Sequence, residues 1–95
     1  MVTIRIEKGM VGVITAGHEL SESTLTAIRT GAMKAARDPG GALVIRWEFA
    51  CQDDEAAELL GCLRNTATAR RPTNGELADE LMKAAYEVAK AIEPA

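Results

Sequence analysis

The stretch ALVIRWEFA, residues 42–50, gives the strongest strand signal in the chain. Its odd-numbered residues are all large and apolar: Leu43, Ile45, Trp47 and Phe49. Its even-numbered residues begin apolar and end with Arg46 and Glu48. Successive side chains of a strand point to opposite faces, so this pattern gives one continuous apolar face. We therefore expect the central strand of a small sheet here.

The N-terminal residues predict two further strands. Val2, Ile4 and Ile6 alternate with polar residues, which is typical of a strand with one solvated face. After Gly9, residues 10–16 are rich in β-branched side chains. Two short runs around a glycine indicate a β-hairpin.

A helix is expected between this hairpin and the central strand. Ser21 is a suitable N-cap, and the apolar spacing continues to about Arg37. Gly31 lies inside this helix and indicates a close approach to the sheet. Residues 38–41, Asp-Pro-Gly-Gly, end the helix. The connection from the second strand through this helix to the central strand is a crossover, which should be right-handed if those two strands are parallel.

The second half of the chain is expected to be helical. Asp53 or Asp54 can cap a helix that ends near Arg71, and Thr73 and Glu76 have the spacing of a capping box. The last helix has apolar residues at heptad spacing: Leu77, Leu81, Ala84, Val88 and Ala91. The predicted fold is a single compact α+β domain over residues 1–95, with element order β-β-α-β-α-α and helices packed on a three-stranded mixed sheet.

Composition narrows the classes of function. The 95 residues carry a net charge of −3, and the acidic excess lies in residues 51–95. A nucleic-acid partner is not expected, because no strong basic stripe with stacking rings is present. Two cysteines form no disulfide framework or zinc motif, and no signal peptide or membrane span is evident. We predict a small acidic cytoplasmic protein with no metal and no cofactor.

Two residues are candidates for chemistry. His18 is the only histidine and follows Gly17 at the predicted strand-to-helix corner. Cys51 follows the central strand beside a helix start, where a thiol can have a lowered pKa. Three carboxylates follow Cys51, however, and negative charge raises a thiol pKa. No catalytic set is therefore assigned, although a small enzyme or ligand-binding domain using Cys51 and His18 stays an alternative.

The candidate binding residues are aromatic or basic. They are Trp47, Phe49, Tyr86, Arg70 and Arg71. The first two share one face near the end of the central strand, where an open sheet end would expose them to a partner. The paired arginines also suit a helix C-terminus through the helix dipole alone.

Residues 10–65 partly resemble STAS domains of the anti-sigma-factor-antagonist type. Gly17-His18-Glu19-Leu20 lies at the corner before the first helix, and Gln52-Asp53-Asp54-Glu55 lies at the turn after the strand. The resemblance implies a regulatory, protein-binding domain. No serine occupies that turn, so the phosphorylation switch of the family is not implied, and a strand expected after the second helix is missing.

These observations favour a protein-binding, regulatory module of the adaptor or inhibitor type. Uncovered sheet edges favour self-association, such as a homodimer, and the small size suits a bacterial or phage accessory protein. The expected partner is another protein, with no nucleic acid and no membrane. The alternatives are a STAS-like domain without its serine and the small enzyme described above.

Overall fold

The computed structural model describes residues 1–17 and 19–92. This part of the chain forms three strands and four helices in the order β-α-α-β-β-α-α, so the α+β class is confirmed. The elements are β1 (Val2–Glu7), α1 (Lys8–Thr15), α2 (Glu22–Arg29), β2 (Ala32–Arg37), β3 (Leu43–Cys51), α3 (Asp53–Arg70) and α4 (Gly75–Ile92).

The sheet has the order β1-β3-β2, so β3 is the central strand, as its sequence predicts. Both of its neighbours run antiparallel to it. The prediction of a mixed sheet is wrong, because β2 and β3 form a hairpin and no helix crosses over between them. The register places Phe49 opposite Ile4, and Trp47 opposite Ile6 on one side and Met33 on the other.

Residues 10–16 were expected to form a strand, and most of them lie in α1. Met10 and Ile14 are the buried residues of this helix, and their spacing of four places them on one helical face. The β-branched residues between them favour a strand only weakly, so burial of this apolar pair overrides local preference. The predicted order β-β-α-β-α-α is wrong at this point.

The helix expected up to Arg37 ends at Arg29, and its second half is β2. Ser21 does cap α2, since its hydroxyl accepts a bond from the Thr24 amide at 3.4 Å. Gly31 lies at a close approach to the sheet, as predicted, although in the connection to β2. A Cβ at Gly31 would lie 2.5 Å from the Glu48 carbonyl oxygen. The connection after α2 thus places Ala32–Arg37 beside β3 as a strand, although the composition of this segment favours a helix.

Both C-terminal helices are confirmed, but their caps differ from prediction. Gln52, not an aspartate, caps α3, and its amide donates to Glu55 Oε1 at 2.8 Å. Asn74 caps α4 by accepting from the Leu77 amide at 3.0 Å. Thr73 instead donates to the Arg70 carbonyl oxygen at 3.3 Å, so the Thr73–Glu76 capping box is wrong.

One apolar core joins the sheet to all four helices. The sheet contributes Ile4, Ile6, Phe49 and Cys51, which define its inner face. The outer face is polar and carries ion pairs between Arg5 and Glu48 at 3.0 Å and between Arg46 and Glu7 at 3.6 Å. Among residues 1–17 and 19–92, no helix has the length and apolar character needed to cross a membrane.

Candidate interaction surface

The inner face of the sheet is uncovered at the β2–β3 hairpin. Met33, Leu43 and Ile45 have exposed fractions of 50%, 65% and 51%. Ala35 pairs with Ile45 in the register and is exposed beside it. We call these four residues the hairpin patch. They lie on the same face as the core but beyond the helices, because none of the described helices packs closely on β2.

Trp47 forms the boundary between the core and the hairpin patch. Its indole Nε1 donates to the Ile28 carbonyl oxygen at 2.7 Å, which anchors the ring to the end of α2. The Lys8 ammonium lies 5.8 Å from the ring centroid, within the range of a cation–π interaction. Gly31 leaves the space that this ring occupies, since a Cβ there would lie 2.6 Å from Nε1. These contacts hold the Trp47 ring in place beside the hairpin patch.

Hydrogen bonds close the turn at the tip of the hairpin. The Gly41 amide donates to the Asp38 carbonyl oxygen at 2.9 Å, and Gly41 has φ +88°. A type I turn followed by a left-handed glycine is a common three-residue hairpin connection. Asp38 Oδ1 also accepts from the Ala42 amide at 2.9 Å. Because these bonds fix the turn, they also fix the register of β2 on β3.

The free edge of β2 carries unpaired backbone groups. The Asp38 amide donates to the Ala42 carbonyl oxygen at 2.9 Å, so this pair is of the hydrogen-bonded type. Hydrogen-bonded pairs alternate along an antiparallel ladder. Lys34 and Ala36 therefore bond to β3, whereas Met33, Ala35 and Arg37 direct their N–H and C=O groups outward. Met33 and Ala35 thus belong both to the free edge and to the hairpin patch.

The β2–β3 hairpin carries more basic than acidic side chains. Residues 32–51 contain three basic residues and two acidic ones, a net charge of +1 in a chain whose net charge is −3. The basic residues are Lys34, Arg37 and Arg46, and the acidic residues are Asp38 and Glu48. Glu48 is already paired with Arg5 at 3.0 Å, so the hairpin is a weakly basic, partly apolar part of an acidic protein.

The predicted binding residues do not form one surface. Phe49 is 3% exposed and belongs to the core, whereas Tyr86 is 64% exposed on α4, with the Lys90 ammonium 5.1 Å from its ring centroid. Arg70 is exposed at the end of α3, and Arg71 donates to Asp79 Oδ1 at 3.1 Å. Of the five, only Trp47 adjoins the hairpin patch.

The environment of Cys51 opposes nucleophilic chemistry. The side chain is 3% exposed, and burial together with the charges of Glu55, Asp53 and Asp54 raises its pKa to about 11. Burial and a 3.5 Å hydrogen bond to Glu19 also raise the pKa of Cys62. Both thiols are therefore protonated at neutral pH. His18 lies outside the described residues.

A groove of about 520 Å³ lies between the end of β1 and α4. Ile6 and Met10 form an apolar part of its wall. Its rim carries charged side chains of both signs, including Glu7 and Lys83. Among the described residues, no buried side-chain polar atom lacks a hydrogen-bond partner, and no cluster of potential metal ligands is present. The groove therefore offers no polar group that still requires a ligand.

Comparisons with family models, with curated proteins and with solved structures found no match to this chain. The resemblance to STAS domains also loses its structural basis. It needs a strand before Gly17, where the structure has α1, and a crossover into β3, where the structure has an antiparallel hairpin.

Sequence reasoning missed the residues of the hairpin patch. Leu43 and Ile45 were correctly placed on the face of Phe49, but this alternation does not show which part of a face the helices cover. Met33 and Ala35 were assigned to a helix. The available signal was the Asp-Pro-Gly-Gly turn at residues 38–41, which joins two strands as readily as it ends a helix.

Proposed function

We propose that the protein is a small protein-binding module that acts by surface contact through its β2–β3 hairpin. The observation that carries this proposal is the hairpin patch, where Met33, Leu43 and Ile45 are exposed side by side on an ordered sheet. Contiguous apolar surface of this kind marks interaction sites in monomeric proteins. An adaptor or inhibitor role fits a surface without reactive groups.

The energetics support a binding role. Removal of apolar surface from water favours association by roughly 25 cal/mol per Å², before the entropic cost of association is subtracted. The ordered turn at residues 38–41 and the fixed ring of Trp47 hold the patch in place before a partner arrives. Less conformational entropy is then lost on binding.

Self-association and a cytoplasmic location belong to the same proposal. A second copy could cover the hairpin patch, and free thiols at Cys51 and Cys62 suit a reducing compartment. Light scattering over a range of protein concentrations measures self-association. The small-enzyme alternative is not favoured, because Cys51 is buried and its pKa is raised.

The test is capture from a lysate of the source cell, followed by reconstitution with the purified captured protein. Ile45→Asp adds a charge to the hairpin patch, and Met82→Asp is the matched control because Met82 is 42% exposed on α4. We expect binding to fall at least tenfold with Ile45→Asp and to persist with Met82→Asp, each variant having a native circular dichroism spectrum. Equal binding by both variants would show that the hairpin is not the contact surface.

A further inference from the structure

We propose that the hairpin accepts an extended segment of a partner protein as a fourth strand on the β2 edge, and that this segment alternates apolar and acidic residues. The inference rests on the proposed function and names the chemistry of the partner. The backbone edge, the side chains of β2 and the charge of the hairpin each support one part of it.

The backbone edge provides the docking template. Met33, Ala35 and Arg37 direct their N–H and C=O groups away from β3, so an added strand can form a continuous ladder with them. Strand addition of this kind takes its affinity from main-chain bonds and its specificity from alternate side chains.

The side chains of β2 select apolar residues on the inner face. Ala35 lies between the open edge and Ile45, its partner in β3. Because alanine is short, a large side chain opposite Ala35 on the added strand can extend across it and contact Ile45. Met33 provides a second apolar contact on the same face. Alternate residues of the partner segment should therefore be large and aliphatic.

The charge of the hairpin selects acidic residues at the remaining positions. Lys34 projects from the outer face at the centre of β2, and Arg46 is its partner in β3. Arg46 is already paired with Glu7 at 3.6 Å, which leaves Lys34 as the outer-face cation nearest the open edge. Acidic residues on the outer face of an added strand would lie beside Lys34 and near Arg46. Opposite charges at neighbouring cross-strand positions are favourable.

Two other occupants of the β2 edge itself fit less well. A second copy that pairs through β2 brings another Lys34 and Arg37 to the same edge, and like charges oppose that association. Single-stranded nucleic acid needs exposed rings for stacking, whereas the hairpin patch is aliphatic and Trp47 is held by Ile28. An acidic, extended protein segment can form main-chain hydrogen bonds with the β2 edge and can also complement the charge of Lys34.

The test uses two fluorescein-labelled octapeptides, one alternating Val and Glu and the other alternating Val and Lys, in fluorescence anisotropy titrations at low salt. We expect saturable binding of the Val/Glu peptide and none of the Val/Lys peptide. N-methylation of alternate amides in the Val/Glu peptide, made in both registers, should weaken binding at least about fivefold in one register, because it removes donors to the β2 edge.

Three protein variants sharpen the test. Lys34→Glu should weaken Val/Glu binding at least about tenfold, since it places like charges side by side. Arg64→Glu makes the same change of net charge at an exposed position of α3 and should leave binding within about twofold. Ala35→Pro removes an outward N–H without breaking a bond to β3, and it should weaken binding by about fivefold or more.

Several results would overturn the proposal. These are equal binding of both peptides, no effect of N-methylation in either register, preferential binding of an oligothymidine strand, or a stable dimer that excludes the Val/Glu peptide. If the peptide fails to bind while capture still depends on Ile45, strand addition is wrong and the hairpin remains the contact surface. If capture does not depend on Ile45, the proposed function itself is wrong.

Discussion

The two halves of the inner face have similar sequences and opposite environments. Along β3, Leu43 and Ile45 are 65% and 51% exposed, whereas Phe49 and Cys51 are each 3% exposed. All four residues point to the same side of one strand. The helices pack over the half near β1 and leave the half near β2 uncovered. Alternation therefore determines the face of a side chain, and the position of the helices determines whether that face is buried.

Alanine substitution should show the largest difference between the two halves. Phe49→Ala removes a ring packed in the core and should lower the free energy of unfolding by about 3–5 kcal/mol. Ile45→Ala removes an exposed side chain and should change it by less than about 1 kcal/mol. Urea denaturation followed by circular dichroism measures both values. Similar losses would show that the hairpin patch is buried in solution.

The rate of cysteine alkylation should show the next largest effect. Cys51 lies at the end of the covered half of the inner face. A thiol pKa of about 11 instead of 9.0 leaves about 100-fold less thiolate at neutral pH. In a Cys62→Ser variant, iodoacetamide should therefore modify native Cys51 at least about 100-fold more slowly than it modifies free cysteine. The rate should recover when the protein is unfolded in urea. Faster reaction than free cysteine would restore the small-enzyme alternative.

Gly31 lies where the two halves meet, and its substitution should have a smaller effect. Gly31→Ala places a Cβ about 2.5 Å from the Glu48 carbonyl oxygen, so backbone must move, at a cost of about 1–3 kcal/mol. Gly61→Ala is the matched control in α3, where a Cβ meets nothing within 4 Å, and it should stabilise the helix by up to about 1 kcal/mol. Thermal unfolding should show a lower midpoint temperature than wild type for Gly31→Ala and a higher one for Gly61→Ala. Stabilisation by both would disprove the close approach.

A polar contact between α2 and α3 should give the smallest effect. Glu58 Oε1 accepts from the Thr24 hydroxyl at 2.6 Å and from the Ser21 hydroxyl at 3.0 Å. These bonds favour the carboxylate, so the Thr24 bond and those from Ser21 lower the pKa of Glu58 below its ordinary value of 4.5. Thr24→Val should cost about 1 kcal/mol at pH 7, because it removes one of these bonds.

The pH dependence of that variant gives the sign of the effect. A lowered pKa adds stability above the unfolded-state pKa, and this stability is lost as the pH falls through the lower folded-state value. The difference between wild type and Thr24→Val should therefore be largest at neutral pH and shrink below about pH 4.5. Urea denaturation at several pH values measures it. A constant difference down to pH 2 would exclude a contribution from ionised Glu58.

The same comparison explains what the sequence could predict. Periodicity correctly predicts β1, β3, α3 and α4, and the cap at Ser21 is also correct, because local residues determine these features. The segments 10–16 and 32–37 were assigned wrongly, since burial of Met10 with Ile14 and pairing with β3 outweigh weak local preferences. The hairpin patch could not be predicted, because helix placement depends on contacts between distant residues.

Amide hydrogen exchange of the β2 edge tests the central claim most directly. In the free chain, the Met33, Ala35 and Arg37 amides should exchange rapidly, whereas those of Lys34 and Ala36, bonded to β3, should exchange slowly. Saturation with the captured partner or the Val/Glu peptide should make the three rapid amides slow. If they are already protected in the free monomer, or remain rapid in the complex, the β2 edge is not where this protein binds.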